Sequence, residues 1–159
     1  PFEESEGRKI PIIAAGGIFD GKDISKFIKL GADGVQMGTR FVTTHECDAP
    51  IEFKKAYINS TKENIGIISS PAGMPGQAII NPFIKRIQDE REKVSKCYNC
   101  LTPCNPRTTQ YCISKALINA VKGDIDNGLV FIGKNGYRLH EIVSVKELIE
   151  ELLVEIEKS

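Results

Sequence analysis

Apolar positions along the chain fall into short runs separated by glycine-bearing turns, the pattern of an α/β fold in which buried strands alternate with one-sided helices. Residues Ile10 to Ala14 form a nearly all-apolar run, which predicts a strand buried on both faces, with Pro11 admissible near its start. Asp20 is placed to N-cap a helix over Gly21 to Leu30, whose Ile24, Phe27 and Ile28 share one face and which Gly31 stops. Ala32 to Met37 predicts a second strand, so that strand, helix and strand make one right-handed βαβ unit. A further helix is expected from Pro50 to Ile58, with Asp48 near its start.

After Asn59 the pattern changes. Ile65 to Ser69 is apolar and β-branched, and the turn-rich Ser70-Pro71-Ala72-Gly73-Met74-Pro75-Gly76 follows it. A charged helix is expected from Pro82 to Ser95, then a cysteine-bearing segment, then a helix from Ile113 to Lys122 ended by Gly123-Asp124. Leu129 to Ile132 is a short apolar run before Gly133-Lys134-Asn135-Gly136. The final helix has the clearest signature. Ser144 and Glu147 form a capping-box pair, and Val145, Leu148, Ile149, Leu152, Leu153 and Ile156 recur as one stripe that needs a partner surface.

Two of the turns carry candidate chemistry: Ala14-Ala15-Gly16-Gly17-Ile18 and Gln36-Met37-Gly38-Thr39-Arg40, each between a strand-like run and a helix-like segment. Glycine lets the backbone approach an anion closely, and helix N-termini present unpaired N–H groups. Two such turns from successive parallel strands are the phosphate grip of the late strands of a (β/α)₈ barrel. Backbone N–H groups and the Thr39 hydroxyl are suitable donors to a dianion, and Arg40 is either a counter-charge nearby or a structural ion pair.

The tract Ile12 to Phe41, read as I-I-A-A-G-G-I, L-G-A-D-G-V and Q-M-G-T-R-F, resembles the nitronate monooxygenase family, whose relatives include flavin-dependent enoyl-ACP reductases. The resemblance continues through Ser70 to Ile79 and reaches the terminal helix. It implies the C-terminal portion of a TIM (β/α)₈ barrel that holds FMN, with a smaller substrate domain after the last strand. Residues 1–58 would be the last two βα units, 59–140 the smaller cysteine-bearing domain, and 141–159 a helix packed on the barrel. On this reading Ala15, Gly16 and Gly17 follow strand seven, and Gln36, Met37, Gly38 and Thr39 follow strand eight and grip the flavin phosphate. The implied reaction is oxidation of alkyl nitronates with O₂, or NAD(P)H-dependent reduction of an activated double bond, on a small-molecule substrate. Gln77 stands where relatives commonly carry arginine, and Gly133-Lys134-Asn135-Gly136 where many have a G-Q-x-A-G turn. The family's catalytic histidine falls in no matching motif here; His45 and His140 read as surface residues.

Four of the five cysteines, Cys97, Cys100, Cys104 and Cys112, follow the spacing C-x2-C-x3-C-x7-C. Four sulfur ligands suit zinc or an iron–sulfur centre, with Pro103, Asn105 and Pro106 turning the loop; the alternative is reduced thiols packed in a small domain. Cys47 reads as an ordinary thiol. Acidic and basic residues balance at 21 each, so no global field favours nucleic acid or an anionic membrane. No apolar run reaches spanning length and nothing resembles a signal peptide, which says little about compartment in a chain read as the C-terminal part of a longer one; a cytoplasmic location is the expectation. The apolar terminal helix is compatible with a homodimer. The chain opens at Pro1 in a loop-like stretch, Phe2 to Arg8, and is expected to be the C-terminal part of a longer protein. Two other readings stay open: a barrel gripping a different phosphate, as in IMP dehydrogenase, and a non-catalytic metal-stabilised binding module on residues 60–140.

Overall fold

The computed structural model describes residues 7, 9–102 and 104–159, so the expected opening loop, Gly7 apart, and Pro103 lie outside the described residues. β1 (Ile13–Ala15) and β2 (Gly34–Gln36) pair in parallel, Ile13 opposite Gly34 and Ala15 opposite Gln36, with α1 (Gly21–Lys29) between them. The Asp20 carboxylate accepts the Asp23 N–H as the expected N-cap, and Gly31 takes a left-handed conformation just past the helix end. Both strands are shorter than the apolar runs. At their start Asp33 clamps Ile12, whose N–H donates to the Asp33 carboxylate at 2.9 Å while the Asp33 N–H donates to the Ile12 carbonyl at 2.8 Å. The expectation that β1 is buried on both faces fails: Ile12 is 61% and Ile13 56% exposed, because β2 is the only strand paired with β1 among the described residues.

α2 (Thr39–Val42) is a single turn, and α3 (Ile51–Ile58) follows from Pro50. β3 (Ile65–Ile68) and β4 (Gly76–Ile79) form an antiparallel hairpin, Ile65 opposite Ile79. β4 was not foreseen, because Pro75-Gly76-Gln77 reads as the continuation of a turn. The Leu129–Ile132 run lies along β4, with the Ile79 N–H on the Val130 carbonyl and the Ile132 N–H on the Gln77 carbonyl. α4 (Pro82–Asp89) starts at Asn81, whose side chain accepts the Ile84 N–H, and ends six residues before the expected Ser95. From Glu90 the backbone is extended and committed elsewhere. The Glu92 N–H donates to the Gln110 carbonyl, and the Arg91 guanidinium donates to the Pro106 and Thr109 carbonyls. α5 spans Ile113–Val121 and α6 Val145–Glu157, the latter with the expected Ser144–Glu147 capping box.

α1 packs on α6 with Gly21 and Ser25 buried, while the shared face of Ile24, Phe27 and Ile28 stays partly exposed among the described residues. Small residues let the two helices approach closely: a Cβ at Gly21 would lie 2.4 Å from the Glu155 Cβ and 2.6 Å from the Leu152 carbonyl oxygen. On α6 only part of the apolar stripe is covered, Leu148 and Leu152 being buried while Ile149 and Leu153 are exposed. Two apolar cores result. One gathers Ile68, Phe83, Ile84, Ile87, Tyr111 and Leu129; the other joins Phe19 and Tyr57 to Ile79, Val130, Ile132 and Leu139. The second core ties the run before Gly133 to the first half of the chain, and the Tyr57 hydroxyl reinforces it by donating to the Phe131 carbonyl at 2.5 Å. No helix among the described residues is long and apolar enough to cross a membrane.

Candidate functional site

The chain leaves β1 through Gly16 and Gly17, both left-handed with φ of +84° and +74°, a region costly for any residue carrying a Cβ. Gly38 follows β2 with an ordinary negative φ; a Cβ at any of the three would meet nothing within 4 Å. The glycines therefore leave bare backbone facing open space, which a rigid bound group can approach.

A third turn completes the site. The Gly133 N–H donates to the Thr39 hydroxyl oxygen at 3.0 Å, and the Asn135 amide donates to the Gly17 carbonyl at 2.7 Å. Gly16 and Gly17, Gln36 to Thr39 and Gly133 to Gly136 thus enclose one cavity of about 90 Å³. Small-molecule sites run to about 300 Å³ and more, so this one has room for a compact anionic group and not for a ring system. Thr39 is well placed to bind it. Gly133 occupies one acceptor pair of its hydroxyl, and the O–H proton is left free to donate.

Of the two roles expected for Arg40, counter-charge or structural ion pair, the structure shows the ion pair. Arg40 does not face the cavity: the guanidinium donates to Glu151 at 2.7 Å, stacks 4.7 Å from the Phe19 ring centre and is buried. The cation on the lining is Lys134 in the third turn. Arg138 stacks on Phe19 at 4.3 Å and donates to Asp20 at 2.6 Å. Burial raises the Asp20 carboxyl, but the Arg138 hydrogen bond and charge, with the Asp23 N–H, outweigh it and hold the group below its ordinary value. Helix polarity contributes little, since α2 is only four residues long and its aligned dipoles are few.

Six of the seven residues expected at a phosphate grip therefore line one cavity. Ala15 is the exception; it pairs with Gln36 in the ladder. Gly133, Lys134 and Asn135 were not marked as binding residues; the signal was the unusual turn itself, with two glycines around a cation and an amide. His45 and His140 are exposed, and Gln77 sits in β4 with its carbonyl bonded to Ile132. Cys97, Cys100, Cys104 and Cys112 line a separate cavity of about 160 Å³. All are free thiols, Cys97 and Cys100 exposed and Cys112 buried, and among the described residues no three metal-ligating side chains are close enough to share an ion.

Comparison with known proteins places this geometry in a family context. The family described as nitronate monooxygenase matches residues 4–155. A probable nitronate monooxygenase of Staphylococcus aureus (strain Newman) is 42% identical over 78 residues, 49% of this chain and 22% of the relative. One of Staphylococcus saprophyticus is 36% identical over 85 residues, 54% of this chain and 24% of the relative. Among solved structures, FabK from Thermotoga maritima superposes with a TM-score of 0.75 at 30% identity, covering 97% of this chain and 46% of that one. Nitroalkane oxidase from Streptomyces ansochromogenes gives 0.70 over 97% of this chain and 41% of its own, and at 24% identity that likeness concerns the fold alone. The matches span about a quarter of the curated relatives and under half of the solved structures.

Proposed function

This chain belongs to the nitronate monooxygenase family, and on that footing we propose that it forms part of an FMN-dependent oxidoreductase whose flavin phosphate sits between the three turns. Family homologues are flavin-dependent oxidoreductases. The observation that carries the reading is the convergence of bare backbone at Gly16, Gly17 and Gly38 with the Thr39 hydroxyl and Lys134 on one small cavity. The residues fit the group. The cavity suits a phosphate and excludes an isoalloxazine ring, so the ring would extend beyond it, towards strands that β1 and β2 do not themselves supply. The exposed Ile12 and Ile13 support that arrangement, because a (β/α)₈ barrel would cover them. Residues 1–58 then form the last two βα units, 59–140 a smaller domain over the substrate, and 141–159 a helix on the barrel exterior.

Within the site this chain's own groups bind and orient. The backbone N–H groups of the two turns and the Thr39 O–H donate to phosphate oxygens, and Lys134 supplies a positive charge on the lining. Asn135 holds the third turn against Gly17, so the phosphate is enclosed from three sides. FMN, when bound, supplies the electron chemistry, which we assign to oxidation of an alkyl nitronate with O₂. No general base is assigned here; His45 and His140 are both exposed.

The test is the visible spectrum of the full-length protein and the identity of the flavin released on denaturation. FMN at about one equivalent is expected; FAD, or no flavin after reconstitution, would refute the assignment. Gly38→Asp places a carboxylate where the phosphate binds and should abolish FMN uptake; unchanged affinity by fluorescence titration would sink the placement. Oxygen consumption with an alkyl nitronate, set against NAD(P)H oxidation with an enoyl thioester, separates the monooxygenase from a nicotinamide-dependent reductase.

A further inference from the structure

Among the described residues of the segment between α4 and α5, Glu90 to Cys112, there is no helix or strand. Connections longer than about 12–15 residues without structure of their own are uncommon, and in compact domains most serve a function. At its base this one is anchored: Arg91 donates to the Pro106 and Thr109 carbonyls, and Gln110 to the Ile87 carbonyl. Its tip is not. Cys97 and Cys100 are exposed there, around a cavity of about 160 Å³ whose apolar lining includes Val94, Leu101 and Ile113. All four cysteines of the segment line that cavity, and no aspartate, glutamate or histidine does.

We propose that Cys97, Cys100, Cys104 and Cys112 are the ligands of one thiophilic metal centre, a zinc ion or an iron–sulfur cluster. An all-sulfur ligand set selects these over hard cations. The backbone between the first two cysteines is already shaped for it. Asn99, at φ +50°, is the only non-glycine residue of positive φ among the described residues, and its N–H points at the Cys97 sulfur at 3.4 Å. Donors to sulfur are what a metal-bound thiolate requires from its surroundings. Charge points the same way. From Glu90 to Cys112 the chain carries Arg91, Lys93, Lys96 and Arg107 against Glu90 and Glu92, a positive balance that offsets a site left negative by four thiolate ligands. Without the ion no three of the thiols are close enough to share it. Binding therefore gathers Cys97, Cys100 and Cys104 around one ion with Cys112, the residue that precedes α5, and contributes folding free energy to the segment.

This site is independent of the flavin assignment, since none of its residues lines the other cavity. The experiment is elemental and sulfide analysis of the full-length protein purified without oxygen. About one zinc, or about four iron with matching sulfide and visible charge-transfer absorption after flavin removal, is expected, and the two results tell the centres apart. Cys100→Ser should lower metal content at least about fivefold, while Cys47→Ser leaves it unchanged. Iron and zinc together below about a tenth of an equivalent, or full metal retention in Cys100→Ser, would overturn the proposal. If Cys100→Ser does not fold, thiol titration of the wild type decides: thiols of this segment should react only after chelation, and free reaction beforehand would overturn the assignment.

Discussion

Gly133→Ala would test whether the third turn belongs to the phosphate site. A Cβ at this position would lie 2.6 Å from the Thr39 hydroxyl oxygen, about an ångström inside an ordinary contact. Either Thr39 leaves its rotamer, at about 0.5–1.5 kcal/mol, or the turn withdraws and breaks the 3.0 Å hydrogen bond from Gly133, at about 0.5–1.5 kcal/mol. Either response separates the hydroxyl from the third turn. A loss of about 1 kcal/mol by one route or the other corresponds to roughly fivefold weaker FMN binding. The assay is a fluorescence titration of deflavinated full-length protein, with circular dichroism to confirm that the fold is retained. Thr39→Ala provides the control, because it removes the hydrogen bond and also makes room for the new methyl group. The double variant should therefore bind FMN about as well as Thr39→Ala alone. Binding within about twofold of wild type in Gly133→Ala, or additive losses in the double variant, would refute the coupling of the two turns.

Lys134→Gln should weaken FMN binding about tenfold and reduce its salt dependence, with little change in apoprotein melting. Arg40→Gln should do the reverse, because it breaks the Glu151 ion pair and the Phe19 stack and leaves the cavity lining intact; equal effects on FMN affinity would contradict this division. Burial, with the Cys47 charge second, pushes the Tyr57 hydroxyl up to about 12. Because its folded value is raised, the stability it contributes is full below about pH 10 and is lost as the pH rises through about 12. Tyr57→Phe should lower stability at neutral pH by about 1–3 kcal/mol, through the unpaired Phe131 carbonyl, and flatten the alkaline decline; urea melts at both ends of that range would check both effects.

Much of this molecule was legible residue by residue. The Asp20 and Ser144 caps, the Gly31 stop, the paired turns after β1 and β2 and the parallel pairing itself all follow from interactions spanning a few residues or one βαβ unit. Where several residues were free to choose among partners, sequence was not enough. α4 keeps a helical pattern beyond Asp89, yet Arg91 and Glu92 bond to the 106–110 stretch instead. The apolar stripe of α1 did not announce that Gly21 brings the helix against α6, where a Cβ would meet Glu155 and Leu152. Arg40 stands beside the phosphate turn in sequence and points to Glu151 on α6 in space. Lys134 lies some 95 residues beyond Thr39 and lines the same cavity. Local chemistry determined which backbone could hold an anion. The direction of the charges around it was decided by long-range packing, since a long cationic side chain goes wherever the assembled fold offers it a carboxylate, an aromatic face or water.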